Sequence, residues 1–435
     1  MSAQVKVFPV SKIQGVISVP GDKSISHRSI IFASLSEGKT RIQNLLEGED
    51  VLCTIDCFRE MGVSIEKKGK EWIVQGVGLQ GLKAPRKVLY CGNSGTTTRL
   101  LMGILAAQPF ESVLTGDASL NRRPMKRVID PLTQMGARFH LENDGSADRH
   151  IHIQGGFLRG IDYQSPIASA QVKSALLLAG LWAEGTTSVT EPSLSRDHTE
   201  RVLSSSGVPF QREGLKVTVS KAQALKFPND YWVPGDFSSA AFFLVAGALV
   251  PNSQLLLKQV GLNPTRIGAF EVLKEMGALL SIENHSLQAG EEVGDVKVES
   301  SPLNSTKING EIIPKLIDEI PILAVAAARA NGLTEIHDAA ELKVKESDRI
   351  EILCQLLSRL KVQNRPFLDG LEILGPSHFE STTVASAGDH RMAMSMAIAA
   401  LVAEGPIQIE DIECVKTSFP SFWDLLAGLG VRLEF

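Results

Sequence analysis

The sequence predicts an α/β protein made of two related halves, each of three repeated units. Three observations carry that prediction: a helix-ending signature that recurs six times, a longer motif that returns once, and a chain length suited to two cores. The signature is a helix-like run, then Gly, then Val or Ala, then a polar strand-turn-strand stretch. It stands at Met61-Gly62-Val63, Met135-Gly136-Ala137, Ser206-Gly207-Val208, Met276-Gly277-Ala278, Leu360-Lys361-Val362 and Leu429-Gly430-Val431, with the middle residues 74, 71, 70, 84 and 69 apart. Gly suits the left-handed position just past a helix end, where a Cβ is unfavourable. Lys361 departs from that rule and marks the fifth unit as the least regular.

The longer motif, Val19-Pro20-Gly21-Asp22-Lys23-Ser24, returns as Val233-Pro234-Gly235-Asp236-Phe237-Ser238, about three units later. Each copy opens an apolar helical run, Ile30 to Ala33 in the first and Ala240 to Ala246 in the second. The 435 residues exceed one ordinary core and suit two of roughly 200 each. The domain reading is therefore 21–234 for one domain and 1–20 with 235–435 for the other. Two crossover segments would serve as a hinge beside a cleft.

Composition then narrows the function. Apolar residues make up 43% and charged residues 21%, as in ordinary globular chains, and aromatics at 6% imply aliphatic cores. A net charge of −5 argues against a nucleic-acid binder, so any anion site must be a local cluster of cations. Five scattered cysteines do not form a disulfide framework. Cys53 and Cys57 read as packing neighbours on one helix face, without a second pair at zinc-site spacing. His150 and His152 alternate as in a strand, and no carboxylate partner stands beside them in sequence. No run approaches 18 uninterrupted apolar residues and no charged start precedes an apolar leader. The expectation is a soluble, reduced, cytoplasmic protein that binds neither nucleic acid nor membrane.

The chemistry lies at helix starts. Lys23, Ser24 and Arg28 follow the Pro20-Gly21 turn, where free N–H groups and the helix dipole disfavour cations unless an anion is shared. The spacing is not that of a Walker A loop, since Asp22 separates Gly21 from Lys23. Gly92-Asn93-Ser94-Gly95-Thr96-Thr97-Thr98-Arg99 is a small-residue turn into a helix, open to close approach by an anion. Ser195-Arg196-Asp197 precedes Glu200 with capping-box-like spacing. Gly388-Asp389-His390-Arg391 opens another helical run, and Arg122 to Arg127 holds four cations. Singly each is weak, and a basic run is more often a solvated face. Together, in an acidic protein, they point to a site for several anionic groups. Asp318-Glu319 and Lys345-Glu346-Ser347-Asp348-Arg349 supply acid–base candidates, with Lys345 and Arg349 at i, i+4 on a helix start.

In combination, these motifs with Asp389-His390-Arg391-Met392-Ala393-Met394 resemble the 5-enolpyruvylshikimate 3-phosphate synthase family of enolpyruvyl transferases. The likeness runs over essentially the whole chain, to Lys416-Thr417-Ser418-Phe419-Pro420. It implies two domains, each of three βαβαββ units in an inverse α/β barrel-like arrangement, and a monomer. It also implies transfer of the enolpyruvyl group of phosphoenolpyruvate to the 5-hydroxyl of shikimate 3-phosphate, with release of phosphate, in the shikimate pathway to chorismate and the aromatic amino acids. No metal or organic cofactor is implied.

Carried over by resemblance, Lys23 contacts both substrates and counts as catalytic with Asp318 and Glu346. Ser24, Arg28, Ser169, Gln171, Arg196 and Asp318 hold shikimate 3-phosphate, and Lys345 either joins them or supports Asp318 and Glu346. Asn93, Gly95, Arg123, Gln171, Arg349, Arg391 and Lys416 surround phosphoenolpyruvate. Asp318 is the base for the hydroxyl, and Glu346 the proton donor to the methylene carbon.

Ala170, Glu341 and Arg196 match the bacterial branch that includes glyphosate-tolerant members, yet Gly95 stands where some of those carry Ala. The expectation is that glyphosate binds as an inhibitor. Lys416 aligns only if Ser418 is an insertion. Two alternatives remain: enolpyruvyl transfer to UDP-N-acetylglucosamine, whose family carries a reactive Cys in the loop that here reads 116–127 without one, and a non-catalytic anion-binding protein, against which Asp318 and Glu346 both stand.

Overall fold

Six helices have almost no polar face beyond their first turns: Lys23–Leu35, Gly95–Leu105, Ala170–Gly180, Phe237–Leu249, Ile320–Arg329 and His390–Ala400. A helix that is apolar all round must be covered all round, and each of these is buried along nearly its whole length. The computed structural model describes residues 3–288 and 290–435. Among them the strands form six four-stranded sheets, which cover these helices.

The repeat is βαβαββ. In one copy Leu89–Tyr90 leads through the buried Gly95–Leu105 helix to Glu111–Thr115, then through the Lys126–Gln134 helix to Arg138–Glu142 and His150–Gln154. The first two strands pair in parallel; the second pairs antiparallel with the fourth, and the fourth with the third. The Asp162–Gln164 and Lys307–Ile308 copies repeat this pattern. The second helix of each repeat is amphipathic, burying one stripe: Glu49–Glu60, for example, buries Val51, Thr54, Ile55 and Phe58.

Those second helices end as the sequence signature requires. Gly62, Gly136, Gly207, Gly277 and Gly430 have φ of 89°, 114°, 73°, 96° and 86°. At Gly62 the N–H donates to Arg59 O at 2.9 Å and the Val63 N–H to Phe58 O at 3.0 Å, which satisfies two orphan carbonyls of the last turn. Lys361 adopts φ 65° and makes the same two bonds, to Ser358 O at 3.0 Å and through Val362 to Leu357 O at 2.9 Å. The fifth unit therefore keeps the closure and bears the strain of a Cβ in it.

The chain divides into two compact units. One comprises Gly21–Val233 together with Gln288–Glu291. Its first sheet is completed by Asp230–Trp232, which pairs in parallel with Glu37–Gln43. The other comprises the residues up to Pro20, Pro234–Leu287 and Glu292–Phe435. Here Gln14–Ile17 pairs in parallel with Gln254–Gly261, and Gln4–Val7 lies between Ile407–Glu410 and Leu433–Glu434. Each unit has its own apolar core. Among the described residues no helix is long and apolar enough to cross a membrane.

Candidate active site

In the Gly21–Val233 unit, the predicted anion-binding residues collect at the first turns of its three buried helices. Asp22 caps the Lys23–Leu35 helix, accepting the Ile25 N–H at 2.8 Å. Gly21 allows that turn, because a Cβ there would lie 1.9 Å from Asn44 O. Lys23 forms an ion pair with Asp50. Arg28 is buried and donates through Nε to Thr199 Oγ1 at 2.7 Å, through Nη2 to Ser174 Oγ at 2.9 Å and through Nη1 to Ser24 O at 3.1 Å. Burial lowers its pKa to about 10, with Glu200 and Asp22 opposing and Arg196 adding to the fall. It therefore stays charged at neutral pH.

Ser94 caps the next helix by accepting the Thr97 N–H at 3.0 Å. Just before it, Asn93 donates to Asp117 Oδ2 at 2.6 Å and accepts from Arg123 through both its backbone and side-chain oxygens. Gly95 keeps this turn open, since a Cβ there would lie 2.9 Å from Arg99 Nη1 and 3.5 Å from Arg123 Nη1. Ser169 caps the third helix, toward the Val172 N–H. Gln171 joins the second and third helices, accepting from Arg99 and donating to Thr96 Oγ1 at 3.0 Å. Arg196 lies in the turn before the His198–Ser205 helix. Three helix N-termini with cations set among hydroxyls and amides are chemically suited to anionic groups.

The other unit concentrates carboxylates. Arg349 is 1% exposed, and every nitrogen of its guanidinium meets one. Nε donates to Asp389 Oδ2 at 2.8 Å, Nη2 to Glu346 Oε2 at 2.7 Å and Asp389 Oδ1 at 3.3 Å, and Nη1 to Asp318 Oδ1 at 3.3 Å. Burial alone would lower the arginine's pKa, but Asp389, Glu346 and Asp318 overcome it and raise it. Asp389 is buried at the N-cap of the His390–Ala400 helix, where it accepts the Arg391 N–H at 2.9 Å. Burial would raise its pKa, and Arg349 and His390 hold it below the usual carboxylate value. Lys345 Nζ approaches Asp318 Oδ1 at 3.4 Å, and Arg391 donates to the Asp318 carbonyl at 2.8 Å. Glu319, fully buried, accepts from Ser238 and from Arg391 at 3.4 Å. Asp318 and Glu346 keep partial exposure, 14% and 25% of their side chains, so both can meet a ligand.

Asp318, Lys345, Glu346, Arg349 and Arg391 thus form one cluster. Lys416 stands apart from it among the described residues: its side chain is 61% exposed and pairs with Glu413 at 2.5 Å. Two local expectations change. Lys345 precedes the helix, which starts at Arg349 behind its cap Asp348, so the two cations meet through Asp318 and not at i, i+4. Glu200 makes no capping box with Asp197; it pairs with Lys173 at 2.7 Å. Of the basic run, Arg122 and Lys126 face solvent while Arg123 turns in to Asn93.

Sequence reasoning passed over Asp50, Lys173, Glu191 and the hub role of Asp389, and placed Glu200 at a cap and not beside Lys173. Lys173 had a signal: a lone Lys inside the apolar run of the Ala170–Gly180 helix needs buried partners. His152 does find a carboxylate, Glu142 at 3.1 Å on the neighbouring strand, which the sequence does not place beside it. Among the described residues no group of three or more His, Cys, Asp or Glu could hold a metal ion.

Comparison with known proteins finds relatives over nearly the full length. A family model described as EPSP synthase (3-phosphoshikimate 1-carboxyvinyltransferase) matches residues 7–426. The chain is 53% identical over 424 residues to a 3-phosphoshikimate 1-carboxyvinyltransferase of Bacillus cereus (strain G9842), covering 97% of this chain and 98% of that protein. A solved EPSP synthase from Acinetobacter baumannii superposes with a TM-score of 0.89 at 46% identity, over 99% of this chain and 100% of that one. The enolpyruvyl transferase NikO from Streptomyces tendae, at 17% identity and a TM-score of 0.81, shares the fold.

Proposed function

This chain belongs to the EPSP synthase (3-phosphoshikimate 1-carboxyvinyltransferase) family, and from that premise we propose how its residues carry the reaction. The enzyme transfers the enolpyruvyl group of phosphoenolpyruvate to the 5-hydroxyl of shikimate 3-phosphate and releases inorganic phosphate.

In the proposed sequence the hydroxyl oxygen bonds to C2 of phosphoenolpyruvate as Asp318 takes its proton. Glu346 delivers a proton to C3, giving a tetrahedral intermediate. Proton flow at C3 then reverses, the C2–O bond to phosphate breaks, and the enol ether and phosphate leave. General acid–base help of this kind is worth about 10² to 10⁴ in rate. The observation that carries the assignment is Arg349: one buried guanidinium, locked by Asp389, holds Asp318 on Nη1 and Glu346 on Nη2. Two carboxylates fixed by one rigid fork can serve the hydroxyl that attacks C2 and the neighbouring C3 without first reorganising.

The cation-lined helix starts of the Gly21–Val233 unit suit the anionic substrates. Ser24, Arg28, Ser169, Gln171 and Arg196 are assigned to shikimate 3-phosphate, Asn93, Gly95, Arg123, Arg349 and Arg391 to phosphoenolpyruvate, and Lys23 to both. Lys345 supports Asp318, and Lys416 is assigned by resemblance alone. Charge stabilisation by such fixed donors lowers the barrier most where charge develops. We further assign a monomeric state, a cytoplasmic location and binding of glyphosate, for which the absence of a side chain at Gly95 leaves room.

The deciding assay follows phosphate release from phosphoenolpyruvate with shikimate 3-phosphate, and with UDP-N-acetylglucosamine in parallel. Release that needs shikimate 3-phosphate and collapses in Asp318→Ala and Glu346→Gln supports the reading. Release with the nucleotide sugar alone overturns the acceptor. Normal turnover under millimolar glyphosate at low phosphoenolpyruvate would rule out the inhibitor assignment.

A further inference from the structure

The Gly21–Val233 unit buries three charges to which the reaction gives no role: Lys173, Glu191 and Glu200, each 3% exposed or less. Lys173 Nζ lies 2.6 Å from Glu191 Oε2 and 2.7 Å from Glu200 Oε1. Burying such a trio is unfavourable unless every charge is matched, and apolar packing often serves stability as well. Its presence therefore calls for another reason.

Glu191 supplies one, because its carboxylate reaches two segments besides Lys173. Oε1 accepts the Ser169 N–H at 2.8 Å, at the cap of the Ala170–Gly180 helix. Oε2 accepts the Ser195 hydroxyl at 2.9 Å, one residue before Arg196. Lys173 holds the carboxylate from inside the helix, and Glu200 holds Lys173 from the other side. One buried anion thus sets the spacing between Ser169 and the Ser195–Arg196 turn.

We propose that Glu191 is a positioning residue, tying the Ser169 helix start to the Arg196 turn and so setting affinity for the phosphate-bearing acceptor and not for phosphoenolpyruvate. This rests on the assignment of Ser169 and Arg196 to shikimate 3-phosphate. Glu191→Gln keeps the length of the side chain but offers one acceptor oxygen to donors that now occupy two. Hydrogen bonds to a charged group are worth enough to change affinity by about tenfold.

The test is steady-state kinetics of the full-length enzyme, each substrate varied at saturation of the other, with a melting temperature for each variant. In Glu191→Gln the KM for shikimate 3-phosphate should rise about tenfold, while the KM for phosphoenolpyruvate and kcat stay within about threefold. Calorimetric binding of shikimate 3-phosphate alone should weaken by the same factor. Ser195→Ala removes one donor and leaves every ion pair in place, so it gives the same split on a smaller scale if the Gln variant does not fold. Both KM values rising together with a fall in melting temperature, or neither moving, would overturn the proposal. Ser169→Ala and Arg196→Ala separate the two layers. If they leave the acceptor's KM unchanged, the underlying assignment fails. If they raise it while Glu191→Gln does not, only the positioning role fails.

Discussion

The two units use one scaffold with different electrostatic plans around their helix starts. In the Gly21–Val233 unit the caps are Asp22, Ser94 and Ser169, and the cation Arg28 is held by hydroxyls and a carbonyl. In the other unit the same positions hold Asp236, Glu319 and Asp389, and the cation Arg349 is held by carboxylates alone. Even the duplicated motif diverges, with Lys23 matched by the buried Phe237. A cation satisfied by neutral groups keeps its charge to offer an anion. A cation surrounded by carboxylates instead fixes those carboxylates in place. The comparison teaches that one repeat can set a buried cation among neutral groups or among carboxylates through two of its three cap residues and their partners.

The sharpest way to break this contrast is Asp318→Ala. It should lower kcat by about 10³ with little change in melting temperature, whereas activity within tenfold of the parent would show that the carboxylate cluster is not the proton-handling part. Next comes stability. Arg349→Met strands the buried Asp389 and should destabilise the enzyme by about 3 to 5 kcal/mol. Arg28→Met leaves only hydroxyls and a carbonyl and should lose about 1 to 3 kcal/mol. Equal losses in urea unfolding would erase the distinction drawn between the two arginines.

Acid titration compares the units by sign. Asp389 has a depressed pKa, opposed by its burial and produced by Arg349 and His390. Its stabilisation is present above the unfolded carboxylate value and is lost as pH falls through the folded one. Glu200 has a raised pKa because burial outweighs Lys173, so its contribution is present below the unfolded value and lost as pH rises through the folded one. Melting curves from about pH 7 to about pH 3 should therefore fall less steeply for Asp389→Asn and more steeply for Glu200→Gln. The same slope in both would refute the assignment. The smallest effect is expected at Lys361→Gly, which relieves a left-handed Cβ and should stabilise by about 1 kcal/mol. A neutral result there would mean that the lysine side chain makes up the difference.

Features set by local backbone chemistry were legible in the sequence. The Gly past five of the six signature helices acts within a few residues of itself, so it marks helix ends wherever the chain goes. Asp318, Glu346, Arg349 and Arg391 stood out because cations and carboxylates crowd near helix starts. What stayed hidden depends on long-range pairing. Nothing near Lys173 in sequence announces Glu191 and Glu200, and nothing near Lys23 announces Asp50. The strands that complete the sheets, Gln4–Val7 and Asp230–Trp232, are three or four residues long and take their meaning from partners far away in the chain. Gln288–Glu291, which groups with the Gly21–Val233 unit, carries no local mark of that either.

The pairing of Gln4–Val7 with Ile407–Glu410 has a consequence for biosynthesis. Gln4–Val7 waits for this partner until roughly 400 further residues have been made, about 20 to 80 seconds at ordinary elongation rates. Meanwhile the sheet closed by Asp230–Trp232 needs nothing beyond residue 232 for its strands. The Gly21–Val233 half can acquire its structure during translation, while the half that pairs Gln4–Val7 with Ile407–Glu410 must assemble later. Contacts between such distant segments form slowly, so a nascent chain stalled before residue 407 would hold one organised half and one waiting for its final partner.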